Sequence, residues 1–515
     1  MNYKIIKQTR VTVALFFIVL ITLPFIFFIN RETTFFSYFL KLQFIPSLIA
    51  VFTGGAFIFL LLLLITLLFG RIYCSVLCPL GIFQDIVARV SNLFKSKKRR
   101  RFKYGRPWNI LRYTILAVTV FLFIGGISLP LGYLDPYSNW GRISTEIIGR
   151  VEHLCHNIFA LILPNAISYR SYTYFLLGAF LFPFLFALLV VILSAFRGRL
   201  YCNTVCPVGS LLGLISKISF FQPVINKTKC NKCQLCVINC KSQCIDLEKG
   251  VVDVSRCVTC FNCMQVCNKG AMEYKFLVRS KRTGTSSELP KEQIIFSNDR
   301  RKALIAMGAL GTAIVAKSME HETPVKTKSK TTGITPPGAV SIERFKKNCT
   351  ACYACVSACP SNIIKPAYTE YGLDGLLLPV LNFSNHYCSY DCKVCTEVCP
   401  NDALLPLTLK DKQLTQIGQV RYTPKNCIVY TDGVDCGACD EHCPTKAITM
   451  IPFKNSSLYI PKVNYDLCIG CGACEHVCPA RPDKAMVIHA LEKHGIALLP
   501  EKEQQKKIDI DDFGF

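Results

Sequence analysis

The sequence lacks the motifs by which most redox enzymes hold organic cofactors. It contains no glycine-rich nucleotide-binding fingerprint, no nucleophile triad, no flavin motif and no CxxCH haem-attachment sequence. None of its eight histidines lies in an apolar segment long enough to cross a membrane. We therefore expect no haem relay across a membrane and no substrate chemistry on an organic cofactor held by this chain.

Acidic residues are scarce in the first 316 residues, which carry 12 Asp and Glu against 37 Lys and Arg, whereas the remainder carries 22 of each. The first part thus accounts for the whole net charge of +25. A basic chain is typical of nucleic-acid binding. Here the surplus flanks apolar segments, as the positive-inside rule requires, so we expect no nucleic-acid partner.

Four apolar segments are long enough to cross about 30 Å of hydrocarbon. They are approximately 11–29, 46–69, 110–130 and 173–196. Their basic flanks place the N-terminus and the exits of both hairpins in the cytoplasm. The first segment is too long for a cleavable signal, and no small-residue cleavage site follows it. The pattern predicts an α-helical membrane bundle of four spans within residues 1–215.

The second and fourth segments end in the same GRxYCxxxCPxG pattern, at residues 70–81 and 198–209. If each pattern begins helically, its two cysteines share one face, and the proline then restricts the backbone. Two hairpins about a pseudo-twofold axis would bring together the four CxxxCP thiols, Cys74, Cys78, Cys202 and Cys206. Three roles for these thiols remain open: they could hold a shared metal cluster, form a thiol/disulfide pair or line a quinone pocket.

Twenty-four of the 30 cysteines form six quartets, two in residues 230–267 and four in residues 349–478. Disulfide scaffolds are short and irregularly spaced, and zinc favours pairs of CxxC knuckles. Runs of CxxCxxCxxxC instead bind cubane iron–sulfur clusters, with the fourth cysteine ligating the cluster of the partner run. Two quartets have a longer first gap, at Cys388 and at Cys427. Cys155 and Cys244 lie outside the pattern, and we expect them to be buried or incidental.

Exchange of the fourth ligand predicts six [4Fe–4S] clusters in α+β ferredoxin-like modules, at residues 216–280 and 341–515. The six cysteine sets are set 1 (Cys230, Cys233, Cys236, Cys267), set 2 (Cys257, Cys260, Cys263, Cys240), set 3 (Cys349, Cys352, Cys355, Cys399), set 4 (Cys388, Cys392, Cys395, Cys359), set 5 (Cys427, Cys436, Cys439, Cys478) and set 6 (Cys468, Cys471, Cys474, Cys443).

Residues 281–340 form a linker rich in Lys, Ser, Thr, Gly and Pro. Arg300 and Arg301 precede a short apolar stretch, as in a twin-arginine export signal. No A-x-A site follows, so the stretch is expected to remain as an anchor. An internal export signal would leave residues 216–280 in the cytoplasm and 341–515 in the periplasm. A cytoplasmic linker helix with an incidental arginine pair is the alternative.

Modules on opposite sides of a membrane would be separated by about 30 Å of hydrocarbon, with no haem to bridge it. A quinone bound beside the spans could connect them. Polar candidates for its site are Asp135, Tyr137, Asn139, Trp140 and Arg142. An interfacial loop with an aromatic belt explains the same residues equally well.

The four spans, two CxxxCP motifs and following two-cluster ferredoxin of the first 275 residues resemble the NapH-type membrane subunit of a quinol dehydrogenase. Residues 297–480, with a twin-arginine pair and four quartets, are similar to its NapG-type partner. The chain thus looks like a natural fusion of the two. The resemblance implies a protein of the bacterial inner membrane that oxidises quinol from the quinone pool and passes electrons to a periplasmic redox partner.

The same membrane module occurs in NosR-type accessory proteins and in an oxidase-assembly copper reductase. An accessory or maturation reductase for a periplasmic metalloenzyme therefore remains an alternative function. A cytoplasmic-side polyferredoxin that exchanges electrons with quinone is another. A non-catalytic cluster carrier or sensor is disfavoured, because ordered ferredoxin pairs suit a relay and storage does not need them.

Overall fold

The computed structural model describes residues 2–27, 34–51, 55–95, 102–165, 168–169, 177–276, 333–453 and 456–498. The chain divides into two compact units. Unit 1 comprises residues 1–26, 38–170 and 175–326, and unit 2 comprises the remaining residues, chiefly those from 327 onward. The predicted export signal, with Arg300 and Arg301, lies outside the described residues.

The part of the chain described before residue 277 is mainly helical. Its α-helices, numbered α1 to α15, are Tyr3–Phe27, Thr34–Lys41, Phe44–Ala50, Ala56–Phe69, Tyr73–Val76, Pro79–Phe94, Asn109–Ile124, Leu129–Leu134, Pro136–Ile143, Gly149–Ile162, Leu177–Arg197, Leu200–Thr204, Pro207–Ser216, Leu235–Ile238 and Asn262–Gln265. A π-helical turn, Ser144–Ile148, joins α9 to α10. Helix α6 packs on α9 and α11, and α13 packs on α4 and α7.

Two of the four predicted spans correspond to helices that are long and apolar enough to cross a membrane, namely α1 and α11. The segment 46–69 is described as two helices, α3 and the 14-residue α4. The segment 110–130 holds most of the 16-residue α7, which ends at Ile124 and is capped by Gly125. Gly126 then takes a φ of 85°, a left-handed conformation that commonly ends helices. Both shorter helices fall below the roughly 20 residues of a full span.

The two GRxYCxxxCPxG repeats fold alike. Helices α4 and α11 are each followed by a glycine with positive φ, at Gly70 and Gly198. A short helix then carries the first cysteine, and the second cysteine is the N-cap of the next helix, α6 or α13. The proline of each motif occupies the first turn, where its missing N–H costs no hydrogen bond.

A ferredoxin module completes the described part of unit 1. Strand β1 (Phe221–Ile225) pairs antiparallel with β4 (Met272–Phe276), and β2 (Ile245–Asp246) pairs with β3 (Val251–Val252). The backbone N–H of Phe220 donates to the carbonyl of Leu67 over 2.9 Å. The module is therefore attached at the end of α4, beside the first CxxxCP motif.

The described part of unit 2 contains three antiparallel strand pairs. Strands β5 to β10 are Ile364–Pro366, Pro379–Leu381, Thr415–Tyr422, Ile448–Pro452, Tyr459–Val463 and Met486–Ile496, paired as β5 with β6, β7 with β10 and β8 with β9. Its α-helices are Ile342–Asn348, Ala354–Ala358, Val394–Glu397, Leu409–Leu414, Ile428–Thr431, Ala438–Glu441 and Ala473–Val477. Short helices and strand pairs alternate around one core into which the cysteines pack.

Candidate iron–sulfur centres

The cysteine loops of regular spacing share an unusual backbone conformation. In four of them, the residues immediately before and after the second cysteine have positive φ. These residues are Lys232 and Gln234, Thr259 and Phe261, Ala351 and Tyr353, and Gly470 and Gly472. Side-chain-bearing residues rarely adopt this region. Its repeated use indicates that the backbone is bent to wrap three thiols around a common centre, because such strain persists only where the surroundings impose it.

A third left-handed position follows the fourth cysteine. Three residues after it, Gln243, Gly270, Asn362, Asp402 and Lys446 all have positive φ. The turn directs backbone N–H groups at the fourth sulfur: Ala271 donates to Cys267 Sγ over 3.2 Å and Ala447 to Cys443 Sγ over 3.3 Å. Hydrogen bonds to ligand sulfurs are one of the means by which proteins set cluster potentials.

The structure groups the thiols across partner runs. In sets 2, 3, 4 and 6, burial raises the pKa of the third cysteine, and the thiols of the other three members of the same set raise it further. These third cysteines are Cys263, Cys355, Cys395 and Cys474. Each set thus includes the fourth cysteine of the opposite run, in the arrangement that ligand exchange predicts.

Sets 1 and 5 are grouped by other contacts. Burial raises the pKa of Cys236 to about 11, with further contributions from Cys230 and Cys233, and Cys267 packs against the same small core. The four thiols of set 5 line one cavity together with Tyr422 and Pro479.

The donor sets suit iron–sulfur clusters better than single ions. A tetrahedral zinc ion, with Zn–S distances of about 2.3 Å, holds its thiolates close together. Among the described residues, no group of three or more Cys, His, Asp or Glu is close enough to hold one ion. A cubane spaces its four thiolates farther apart, and loops of these spacings supply them.

The four CxxxCP thiols also lie together, and each is buried. Burial raises the pKa of Cys78, and the thiols of Cys202, Cys74 and Cys206 raise it further. The arginine of each repeat reaches the opposite repeat: Arg71 donates to the carbonyl of Cys202 over 3.0 Å, and Arg199 donates to that of Cys74 over 2.5 Å. This reciprocal pair is the pseudo-twofold relation expected from the repeat.

Both repeats contact the loops that carry set 2. Arg71 donates to the carbonyl of Ser255, two residues before Cys257, over 2.9 Å. Asn203 Nδ2 donates to the carbonyl of Ser242, two residues after Cys240, over 3.2 Å. The CxxxCP repeats and the loops of set 2 are therefore joined by the side chains of Arg71 and Asn203, and set 1 lacks these contacts among the described residues.

A buried carboxylate reinforces this junction. Asp85 of α6 accepts from Arg199 Nε over 2.7 Å and from Lys241 Nζ over 2.6 Å, and Arg10 lies 3.6 Å away. Burial alone would raise the pKa of Asp85, but Arg199 and Lys241 overcome it and hold that pKa well below its usual range. Sequence reasoning missed Asp85 and Lys241, since nothing in their spacing marks them. Arg71 and Arg199 could have been singled out from the sequence, because each follows the glycine at the start of its repeat.

The residues predicted for a quinone site are buried side chains of α9 and its N-cap. Asp135 accepts from the backbone N–H of Ser138 over 2.8 Å, and Trp140 Nε1 donates to Thr22 over 3.1 Å. Arg142 donates to the carbonyl of Gly132 over 2.8 Å. Tyr137 and Asn139 are buried beside them. These contacts hold α9 in the helical unit, and a quinone role for the residues stays a prediction.

Family models describe the same regions as iron–sulfur domains. A 4Fe-4S binding domain matches residues 51–102 and 179–227, which contain the CxxxCP motifs. A 4Fe-4S dicluster domain matches 434–481, and a further 4Fe-4S binding domain matches 342–365. The iron–sulfur prediction is thereby confirmed for these domains.

The ferredoxin-type protein NapF of Escherichia coli K12 is 31% identical over 138 residues, which are 27% of this chain and 75% of NapF. The chain belongs to the NapF-like ferredoxin-type proteins. The ferredoxin-type protein NapH from the same organism is 27% identical over 210 residues, 39% of this chain and 60% of that protein.

An uncharacterised protein of Methanocaldococcus jannaschii is 26% identical over 214 residues, which are 41% of this chain and 67% of that protein. No solved structure matches the chain. As a NapF-like ferredoxin-type protein, the chain is an iron–sulfur electron-transfer protein that binds [4Fe–4S] clusters.

Proposed function

We propose that this protein is the electron-transfer module of a membrane quinol dehydrogenase, a NapH-type part fused to a NapG-type part, serving a periplasmic redox partner. The observation that carries the proposal is the contact, within unit 1, between the repeats that carry the CxxxCP thiols and the loops that carry set 2, made by Arg71 and Asn203. A relay that draws electrons from a membrane carrier needs such a contact between its membrane part and its first ferredoxin site.

Exposed apolar side chains support a membrane location for all four helical segments. Phe57 and Leu60 of α4 are 77% and 59% exposed, and Ile110 and Phe121 of α7 are 88% and 76% exposed. Soluble proteins rarely expose apolar side chains in such density. The proposed bundle therefore comprises α1, α3 with α4, α7 and α11 in the bacterial inner membrane, with the first ferredoxin module in the cytoplasm.

The six cysteine sets would hold six clusters, and the CxxxCP thiols would hold a seventh. When bound, each cluster supplies a one-electron carrier, and the oxidation of one quinol to quinone releases two electrons and two protons. The chain's own contribution is to fix the sulfurs, bury them and supply N–H donors to them.

Unit 2 holds its sets in an order that differs from the order along the chain. The thiol of Cys395 in set 4 lies near enough to raise the pKa of Cys355 in set 3. The backbone N–H of Cys388 in set 4 donates to the carbonyl of Cys471 in set 6 over 2.9 Å. The thiol of Cys439 in set 5 likewise raises the pKa of Cys474 in set 6. We infer that electrons pass through unit 2 in the order 3, 4, 6, 5 or the reverse.

The test is quinol-driven reduction of the full-length protein in proteoliposomes, followed by electron paramagnetic resonance. We expect added quinol to reduce the wild-type clusters. The variant Cys202→Ser should lose reduction by quinol but keep dithionite reduction of the ferredoxin clusters. Cys155→Ser, which changes an exposed cysteine outside the sets, is the matched control.

The proposal would be contradicted if dithionite reduced the clusters but quinol did not, and if quinone failed to reoxidise them. Sustained turnover with an added acceptor would support the quinol dehydrogenase module. Reduction without turnover, together with loss of a partner's metal centre in cells that lack the protein, would favour the accessory reductase.

A further inference from the structure

A fifth thiol lies beside the four thiols of set 2, although a cubane cluster needs only four ligands. The fifth belongs to Cys244, which follows Cys240 by four residues and is 1% exposed. Its Sγ lies 3.6 Å from the Sγ of Cys240, and it shares a cavity wall with Cys257. The cavity lined by Cys257, Cys260 and Cys263 includes Cys244 in its wall.

The position of Cys244 is fixed by the fold. It lies directly before β2, and its carbonyl accepts from the backbone N–H of Asp253 over 2.8 Å. The left-handed Gln243 turns the chain so that residue 244 comes back to the fourth cysteine of its run. The thiol is therefore held against the Cys240 sulfur, in the cavity that Cys257 of the partner run also lines.

The partner run provides an internal comparison. Four residues after its fourth cysteine, Cys267, stands Ala271, which is also buried. Ala271 offers only its backbone N–H to the Cys267 sulfur, over 3.2 Å. Set 1 thus lacks the thiol donor at the site where set 2 has one.

We propose that Cys244 is a positioning residue that donates its S–H to the Cys240 sulfur and makes the set 2 cluster easier to reduce than the set 1 cluster. The proposal rests on the proposed function, in which these eight cysteines hold two clusters. Reduction adds negative charge to a cluster and its sulfurs. A hydrogen-bond donor to those sulfurs stabilises the reduced state and raises the reduction potential.

The higher reduction potential proposed for the set 2 cluster affects the route of the electrons. Set 2 is the set that the CxxxCP motifs contact through Ser242 and Ser255. A higher potential there favours the first transfer out of the membrane part. The step moves one electron from the donor at the CxxxCP motifs to the cluster of set 2, with no bond made or broken.

The test is a redox titration of the full-length protein monitored by electron paramagnetic resonance. The signal of set 2 is identified by its loss in Cys260→Ala. Cys244→Ala should lower the midpoint potential of that signal alone and leave the iron content unchanged. Cys244→Ser keeps a donor and should restore most of the wild-type potential, whereas Cys155→Ala should leave every potential unchanged.

A structural role would give a different pattern. If Cys244 only fills space, the polar Cys244→Ser should disturb the site at least as much as Cys244→Ala, and that result would overturn the proposal. Unchanged potentials in both variants would also overturn it. If Cys244→Ala depletes iron, the similar-sized Cys244→Val takes its place in the comparison. Wild-type protein that lacks iron at sets 1 and 2 would instead refute the proposed function.

Discussion

Individual buried charges connect the two halves of unit 1. Asp85 is surrounded by Arg10, Arg199 and Lys241, which come from α1, from the N-cap of α12 and from the ferredoxin module. Without the carboxylate, three cations would be left in a buried site. Removal of one partner from a buried ion pair costs about 3–5 kcal/mol, because the remaining charge is uncompensated.

We therefore expect Asp85→Asn to destabilise the protein by about 3–5 kcal/mol, measured by denaturant unfolding in detergent micelles. Because the pKa of Asp85 is lowered in the folded state, its contribution is present above the unfolded pKa of about 4 and is lost as the pH falls through the lowered value. The variant should lose this acid dependence. The exposed Glu248→Gln is the control, and equal stability of both variants would contradict the expectation.

At the scale of elements, the last glycine of each GRxYCxxxCPxG repeat has a packing reason. A Cβ on Gly81 would lie 2.3 Å from the carbonyl of Cys74, and a Cβ on Gly209 would lie 2.3 Å from that of Cys202. The first turns of α6 and α13 therefore approach the preceding short helix so closely that only glycine fits. This approach folds each CxxxCP motif back on itself and brings its two sulfurs to one site.

Gly209→Ala should separate the two turns and destabilise the protein by about 1–3 kcal/mol, as overpacking commonly does. It should also expose the CxxxCP thiols to alkylation, which mass spectrometry of labelled protein would detect. Gly125→Ala is the matched control, since its Cβ would meet nothing nearer than 3.5 Å. Protection of the four thiols in Gly209→Ala equal to that in wild type would show this account of the glycine to be wrong.

At the scale of the whole molecule, the side of the membrane on which residues 341–515 lie decides the electron route. We expect this region to be accessible to protease from outside intact spheroplasts. The double substitution Arg300→Lys and Arg301→Lys should abolish that accessibility, because the twin-arginine pathway requires the arginine pair. The positively charged pair is kept in the variant, so the change tests the signal and not the charge.

Protection of the region in both proteins would place all six ferredoxin-type sites in the cytoplasm. The periplasmic partner would then be excluded. A cytoplasmic polyferredoxin that exchanges electrons with quinone would remain.

The spacing of the cysteines alone was sufficient to predict the iron–sulfur domains that the family models match, because a chelating loop is a local structure. Ligation with exchange of the fourth cysteine between runs stays a prediction. Each CxxCxxC run winds around its centre within seven residues, so little outside it matters. The left-handed residues were not predicted, since nothing in Lys232, Thr259 or Tyr353 favours positive φ. Their conformation is imposed by the loop they complete.

Helix lengths and tertiary neighbours were decided by the fold. Hydrophobicity located four apolar segments but not the breaks that shorten α4 and α7, because a glycine ends a helix only where the packing favours it. The same applies to Asp85, Lys241 and Cys244, which carry no motif and gain their roles from residues distant in sequence. Sequence determined which atoms can hold iron, because chelation is local. Tertiary structure decided which sites are neighbours and which charges and thiols surround them, because those contacts join segments far apart in the chain.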